Sequence, residues 1–100
     1  MIYTAKSESG KIWKFKAETG ANAISIIRIA NKNSKDIYEI LLQEDENLTY
    51  KQARKEKQAK LSRYKIRLDH HKKYDVLFIP LKYKYIYDII EILENELNNN

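Results

Sequence analysis

Apolar and polar residues alternate at the start of the chain. Ile2-Tyr3-Thr4-Ala5 and Ile12-Trp13-Lys14-Phe15-Lys16 have the two-residue period of half-buried strands, and Ser7-Glu8-Ser9-Gly10 between them supplies turn residues. A β-hairpin is expected over 2–17. In its second strand Trp13 and Phe15 share one face and Lys14 and Lys16 the other, so one side is dry and one wet. The Trp13/Phe15 pair is expected to pack under a helix.

The next stretch is ambiguous. Ala21, Ala23 and Ala30 favour helix over 20–31, with Thr19 as a cap, whereas Ile24, Ile26, Ile27 and Ile29 favour strand and do not fall on one helical stripe. The balance tips slightly to a buried helix, with a loop at Asn31-Lys32-Asn33-Ser34. Residues 36–43 read as a strand. An acidic turn, Glu44-Asp45-Glu46-Asn47, follows, with a short helix as the alternative.

A helix is expected from about Tyr50 to Tyr64. Thr49 and Gln52 have capping-box spacing, and the interior is rich in Ala, Lys, Arg, Gln and Glu. Ile66 and Leu68 suggest a short strand, His70-His71-Lys72-Lys73 a polar turn, and Tyr74–Ile79 a buried strand closed by Pro80. Ile86, Ile90, Leu93 and Leu97, with Ile89 beside them, form the apolar stripe of a last helix over 83–97; Asn98–Asn100 is a frayed tail. The pattern describes an α+β fold: a small antiparallel-rich sheet with two to three helices, one an exposed basic helix at about 50–64 and one a C-terminal amphipathic helix at about 83–97. With no linker or internal repeat, residues 1–97 are expected to form a single compact domain.

Composition narrows the function classes. The 100 residues are 43% hydrophobic and 33% charged, enough for one core and a solvated surface. Cysteine is absent, which excludes disulfides, thiolate metal sites and cysteine nucleophiles. The longest apolar run, Val76–Ile79, is too short to span a membrane, and residues 1–20 carry too many charges for a signal peptide. A cytoplasmic protein without a membrane partner is expected. Lys, Ile, Asn and Tyr supply 45 of the 100 residues, a bias toward AT-rich codons that points to a low-GC genome and to a phage or other mobile element as source.

Charge is the strongest signal. Residues 36–50 carry five acids and no Lys or Arg, whereas 51–73 carry ten Lys/Arg and two acids. Such a field attracts polyanions or acidic protein surfaces. The candidate contact residues are Lys51, Arg54, Lys55, Lys60, Arg63, Lys65 and Arg67. The reading requires that this strip face outward without an internal counter-ion; in the alternative, the acidic segment 36–46 folds back onto it.

The remaining motifs are weaker. Lys82-Tyr83-Lys84-Tyr85-Ile86-Tyr87 interleaves cations and aromatic rings, as single-strand binders do, but Tyr83, Ile86 and Tyr87 also fit a core stripe. Tyr85 is therefore the candidate stacking residue. His70 and His71 are adjacent and fit a polar turn better than a metal site. No glycine-rich phosphate loop and no paired carboxylates for a two-metal centre are present, so no cofactor, metal or catalytic set is expected. The leading expectation is a small non-enzymatic protein that contacts nucleic acid through its basic helix. An inhibitor or regulator of a host or defence enzyme comes second. A metal-independent ribonuclease toxin using the histidines comes third.

Overall fold

The computed structural model describes residues 1–99. They form a three-stranded antiparallel sheet and three α-helices, an α+β fold. Two compact units divide the chain, Met1–Asn47 and Leu48–Asn100.

The first unit contains β1 (Ile2–Ser7), β2 (Ile12–Lys16), α1 (Gly20–Lys32) and β3 (Tyr38–Glu44). The sheet order is β2-β1-β3, so the first strand is central. Gly10, at φ 97°, gives the hairpin turn a backbone conformation that side-chain-bearing residues rarely adopt. Asp36 accepts hydrogen bonds from the Ser9 amide at 2.9 Å and the Ser9 hydroxyl at 2.6 Å, tying this turn to the segment before β3. These bonds, the hydroxyl's first, hold the Asp36 carboxyl below the usual carboxylate range.

Ala5 lies opposite Trp13 on one side and Ile40 on the other and is fully buried. Its small side chain leaves room for the Trp13 ring to meet Tyr38 edge-on across β1, with centroids 5.5 Å apart. Trp13 also contacts Phe15 at 4.7 Å, and Phe15 stacks on Tyr3 at 5.8 Å. The expected dry face is thus a file of four rings, of which Trp13 and Phe15 are half-buried. Leu41 is an extra residue between the pairs Thr4–Leu42 and Ala5–Ile40, a bulge that lets β3 keep its pairing on both sides.

Helix α1 settles the ambiguity at 20–31. Thr19 caps it by accepting the Asn22 amide at 3.1 Å. Only Ala23 and Ile27, one turn apart, are buried, whereas Ile24 and Ile29 are exposed. The isoleucines form no single stripe because half of them do not enter the core. The loop expected from Asn31 begins later, since Lys32 is still helical. Asn31 itself donates to the Tyr38 carbonyl at 2.9 Å and accepts its amide at 2.8 Å, so one side chain pairs the backbone of an edge strand.

The second unit is a helical hairpin: α2 (Tyr50–Tyr74), a 3₁₀ turn (Pro80–Tyr83) and α3 (Lys84–Asn98). The capping box is present as expected: Thr49 Oγ1 accepts the Gln52 amide at 3.2 Å, and the Gln52 side chain accepts the Thr49 amide at 3.0 Å. The helix does not stop at Tyr64. The short strand at Ile66 and Leu68 and the turn at His70–Lys73 are instead its continuation, through 25 residues or about 37 Å. No Gly or Pro interrupts 50–74, and Tyr64 and Leu68, four residues apart, both meet the core shared with Tyr83, Ile86, Phe78 and Ile90. Ile66 points away and is exposed.

The strand expected at Tyr74–Ile79 is also absent. Tyr74 ends α2, and the following residues form an irregular connection in which Phe78 stacks on Tyr83, centroids 5.3 Å apart, while Val76, Leu77 and Ile79 are exposed. Without a partner strand, an apolar run cannot satisfy a ladder of backbone groups. In α3 the expected stripe is buried at Ile86, Ile89, Leu93 and Leu97, with Ile92 added and Ile90 half-buried. Of the expected tail, Asn98 is helical and Asn99 caps the helix; Asn100 lies outside the described residues.

Candidate basic interface

The structure gathers all ten Lys and Arg of 51–73 onto one helix, α2, with Glu56 and Asp69 as its only acids. Along its axis these charges create a strongly positive field. The partner helix, α3, carries one Lys and four acids, so the hairpin is itself dipolar.

The seven candidate residues divide by direction. Arg54 donates from Nη1 to the Leu97 carbonyl of α3 at 3.0 Å. Lys65 pairs with Glu94 at 3.2 Å, and the neighbouring Lys57 pairs with Glu96 at 3.4 Å. Internal partners therefore exist for these three, contrary to the expectation of a strip without counter-ions, and they come from α3. Within the acidic segment, Glu46 pairs with the N-terminal amine at 3.3 Å and Lys16 at 3.2 Å. These cations, Lys16 first, hold its carboxyl below the usual range. Lys60 is half-buried and already engaged within the chain. Arg67 is exposed, with its guanidinium 5.2 Å from the centre of the Tyr64 ring.

Lys51, Lys55 and Arg63 remain. All three are exposed and, among the described residues, make no ion pair or hydrogen bond. At 3.6 residues per turn they span about 120° of the helix circumference, on the side opposite Lys57. Lys51 and Lys55 also line a shallow groove of about 480 Å³ with Tyr50, Arg54 and Gln58. Ion-pair geometry separates these free cations from the engaged ones, a distinction their spacing alone does not make.

The histidines fall in the last turns of α2. His71 Nδ1 lies 3.3 Å from an Asp75 carboxylate oxygen, and its ring stacks on Tyr83 with centroids 4.4 Å apart. The Tyr83 hydroxyl donates to the same carboxylate. This bond first, and His71 after it, holds the Asp75 carboxyl below the usual range, while Asp75 and burial push the Tyr83 phenol up. Sequence reading missed Asp75 because it assigned the region to a strand. The cluster ties the end of α2 to the start of α3 across the irregular connection. His70 packs on Tyr74, 4.7 Å between centroids. No group of three metal-ligating side chains occurs among the described residues.

Tyr85 lies in the first turn of α3 and is exposed, unlike the buried Tyr83 and Ile86 that flank it. No helix of the described residues is long and apolar enough to cross a membrane. No protein-family model, curated protein or solved structure matches the chain.

Proposed function

We propose that the protein is a small non-enzymatic binding protein that takes nucleic acid along the outer side of α2. The observation that supports this most directly is the trio Lys51, Lys55 and Arg63, exposed and without internal counter-ions on a helix with ten basic residues and two acids. A surface meant only for solubility mixes signs, because like charges one turn apart repel. Lys51 and Lys55 stand one helical turn apart, about 6 Å along the axis, and deliver point charges to a backbone without reading bases.

Three phosphates neutralised give a salt slope of about −2.7, so a fourfold rise in salt weakens binding roughly 40-fold on duplex DNA. The test is fluorescence anisotropy with duplex and single-stranded oligonucleotides at two salt concentrations. Triple reversal of Lys51, Lys55 and Arg63 to Glu abolishes binding and leaves far-UV ellipticity unchanged. Binding that survives this triple change, or no binding at low salt, overturns the reading. The alternative partner, an acidic protein surface on a host or defence enzyme, would meet the same side of α2. It is favoured if the protein ignores both oligonucleotides yet forms a stable complex with one purified acidic enzyme that the same triple change disrupts.

A further inference from the structure

The connection between α2 and α3 exposes more large aliphatic side chains than a solvated turn requires. Val76 is fully exposed, Leu81 and Leu77 are 78% and 74% exposed, and Ile79 is 47% exposed. Only Phe78 of this run packs inward, against Tyr83. The His71–Asp75–Tyr83 cluster fixes the base of the connection, so the four aliphatic side chains are presented from a tethered segment. Exposed clusters of this kind mark interaction sites.

What surrounds the cluster identifies the occupant. Lys72 and Lys73 stand on its α2 side, Lys82 and Lys84 on its α3 side. The only acids within 70–88 are Asp75, held by Tyr83 and His71, and Asp88, paired with Lys84 at 3.0 Å. Tyr74, Tyr85 and Tyr87 are exposed beside the lysines, and Lys73 and Lys72 sit 5.4 and 5.7 Å from the ring centres of Tyr74 and Tyr87. Back along α2 the order is aliphatic tip, then Tyr74, then Lys73 and Lys72, the order in which side chains partition from acyl chain to interface to anionic headgroup; on the α3 side Lys82 follows Leu81 directly, and its long apolar stem lets the ammonium reach back to the headgroups.

We propose that the hairpin end docks on an anionic lipid bilayer, with Val76, Leu77, Ile79 and Leu81 entering the interfacial region and Lys72, Lys73 and Lys82 meeting headgroup phosphates. Docking of this kind needs no spanning helix. A second copy of the chain is a poorer occupant, because an interface tip to tip would bring two lysine rims together. The proposal is independent of the nucleic-acid reading, which uses the other half of α2.

The test is flotation of the full chain with vesicles of phosphatidylcholine alone and of equal parts phosphatidylcholine and phosphatidylglycerol. Binding is expected only to the anionic vesicles. Val76→Asp with Leu77→Asp weakens it by more than about tenfold while ellipticity is retained, since neither side chain is in the core. A Leu77→Trp reporter is quenched by lipids brominated on their acyl chains. Lys51→Glu with Lys55→Glu leaves that quenching in place. Vesicle binding that ignores the aspartates but is lost with Lys51 and Lys55 is mere electrostatic adsorption and overturns the proposal. So does a concentration-dependent dimer that Leu77→Asp dissociates, which makes the tip a self-interface. Absence of binding to either vesicle by a monomeric protein overturns it as well and leaves a protein groove as the occupant.

Discussion

Arg54 on α2 donates a hydrogen bond to the backbone carbonyl of Leu97, at the end of α3, over 3.0 Å. The last carbonyls of a helix have no intrahelical donor and carry the negative end of its dipole, so a guanidinium there satisfies both the bond and the field. Arg54 thereby acts as a cross-link of the hairpin.

Replacing Arg54 with Ala is expected to lower stability by about 1–2 kcal/mol, within the range for a charged hydrogen bond that is partly screened. Urea denaturation measures it. Lys55→Ala, about 160° around the helix from the α3-facing Lys57 and without a partner, should cost less than about 0.5 kcal/mol. Nucleic-acid affinity should show the opposite order. If Arg54→Ala weakened binding more than Lys55→Ala without loss of stability, Arg54 would be a ligand contact and not a cross-link.

Thr49 and Gln52 exchange two hydrogen bonds at the start of α2. Without them, two amides of a first turn that holds no acid lose their acceptors. Thr49→Ala should cost about 1 kcal/mol, and Thr49→Asp, which keeps an acceptor and adds favourable charge, should cost little. Thermal melts followed by far-UV ellipticity test this; equal loss in both variants would locate the effect elsewhere.

The Asp75–Tyr83 contact sets a pH window. It needs an ionised carboxylate and a protonated phenol; folding lowers the affinity of Asp75 for a proton and raises that of Tyr83. The stability contributed by Asp75 is intact above its unfolded value and disappears as pH falls through the lower folded one. That contributed by Tyr83 is present below its unfolded value and disappears as pH rises through the higher folded one. Tyr83→Phe should therefore bring the Asp75 titration back toward the ordinary carboxylate range, read by NMR of the side-chain carboxyl. A titration unchanged in Tyr83→Phe would assign the depression to His71.

What was legible in the sequence was local. The hairpin announced itself through the two-residue period at Trp13 and Phe15 and through Gly10, the start of α2 through Thr49 and Gln52, and α3 through one unbroken stripe. The region 66–79 was illegible for a physical reason. Ile66 and Leu68 alternate like strand residues, but only Leu68 has a helical neighbour one turn back on the core side, and which of two apolar residues is buried is decided by α3, far along the chain. Val76, Leu77 and Ile79 are as apolar as a core strand and lack a pairing partner. The split among the cations was hidden likewise, because Glu94 and Glu96 stand 29 and 39 residues from Lys65 and Lys57, the lysines they pair with.

Those two pairs give the last prediction. Lys65 and Glu94 are both well exposed, at 54% and 43%, whereas Lys57 and Glu96 are only 22% and 20% exposed. An exposed pair contributes at most about 1 kcal/mol to stability, so Glu94→Gln should leave the melting temperature nearly unchanged. It also removes a carboxylate that repels phosphate and frees Lys65, so nucleic-acid affinity at low salt should rise about two- to fivefold, the factor corresponding to about 0.5–1 kcal/mol of screened charge interaction. Glu96→Gln should behave differently. Lys57 faces α3 and gains no access to a ligand on the outer side of α2, so affinity stays put while stability drops. Anisotropy titrations and melts of the two variants, run side by side, separate charge that is available to a ligand from charge that holds the hairpin. Equal gains in affinity from both would mean that the ligand also reaches the α3-facing side, and the outer-side reading of α2 would have to be abandoned.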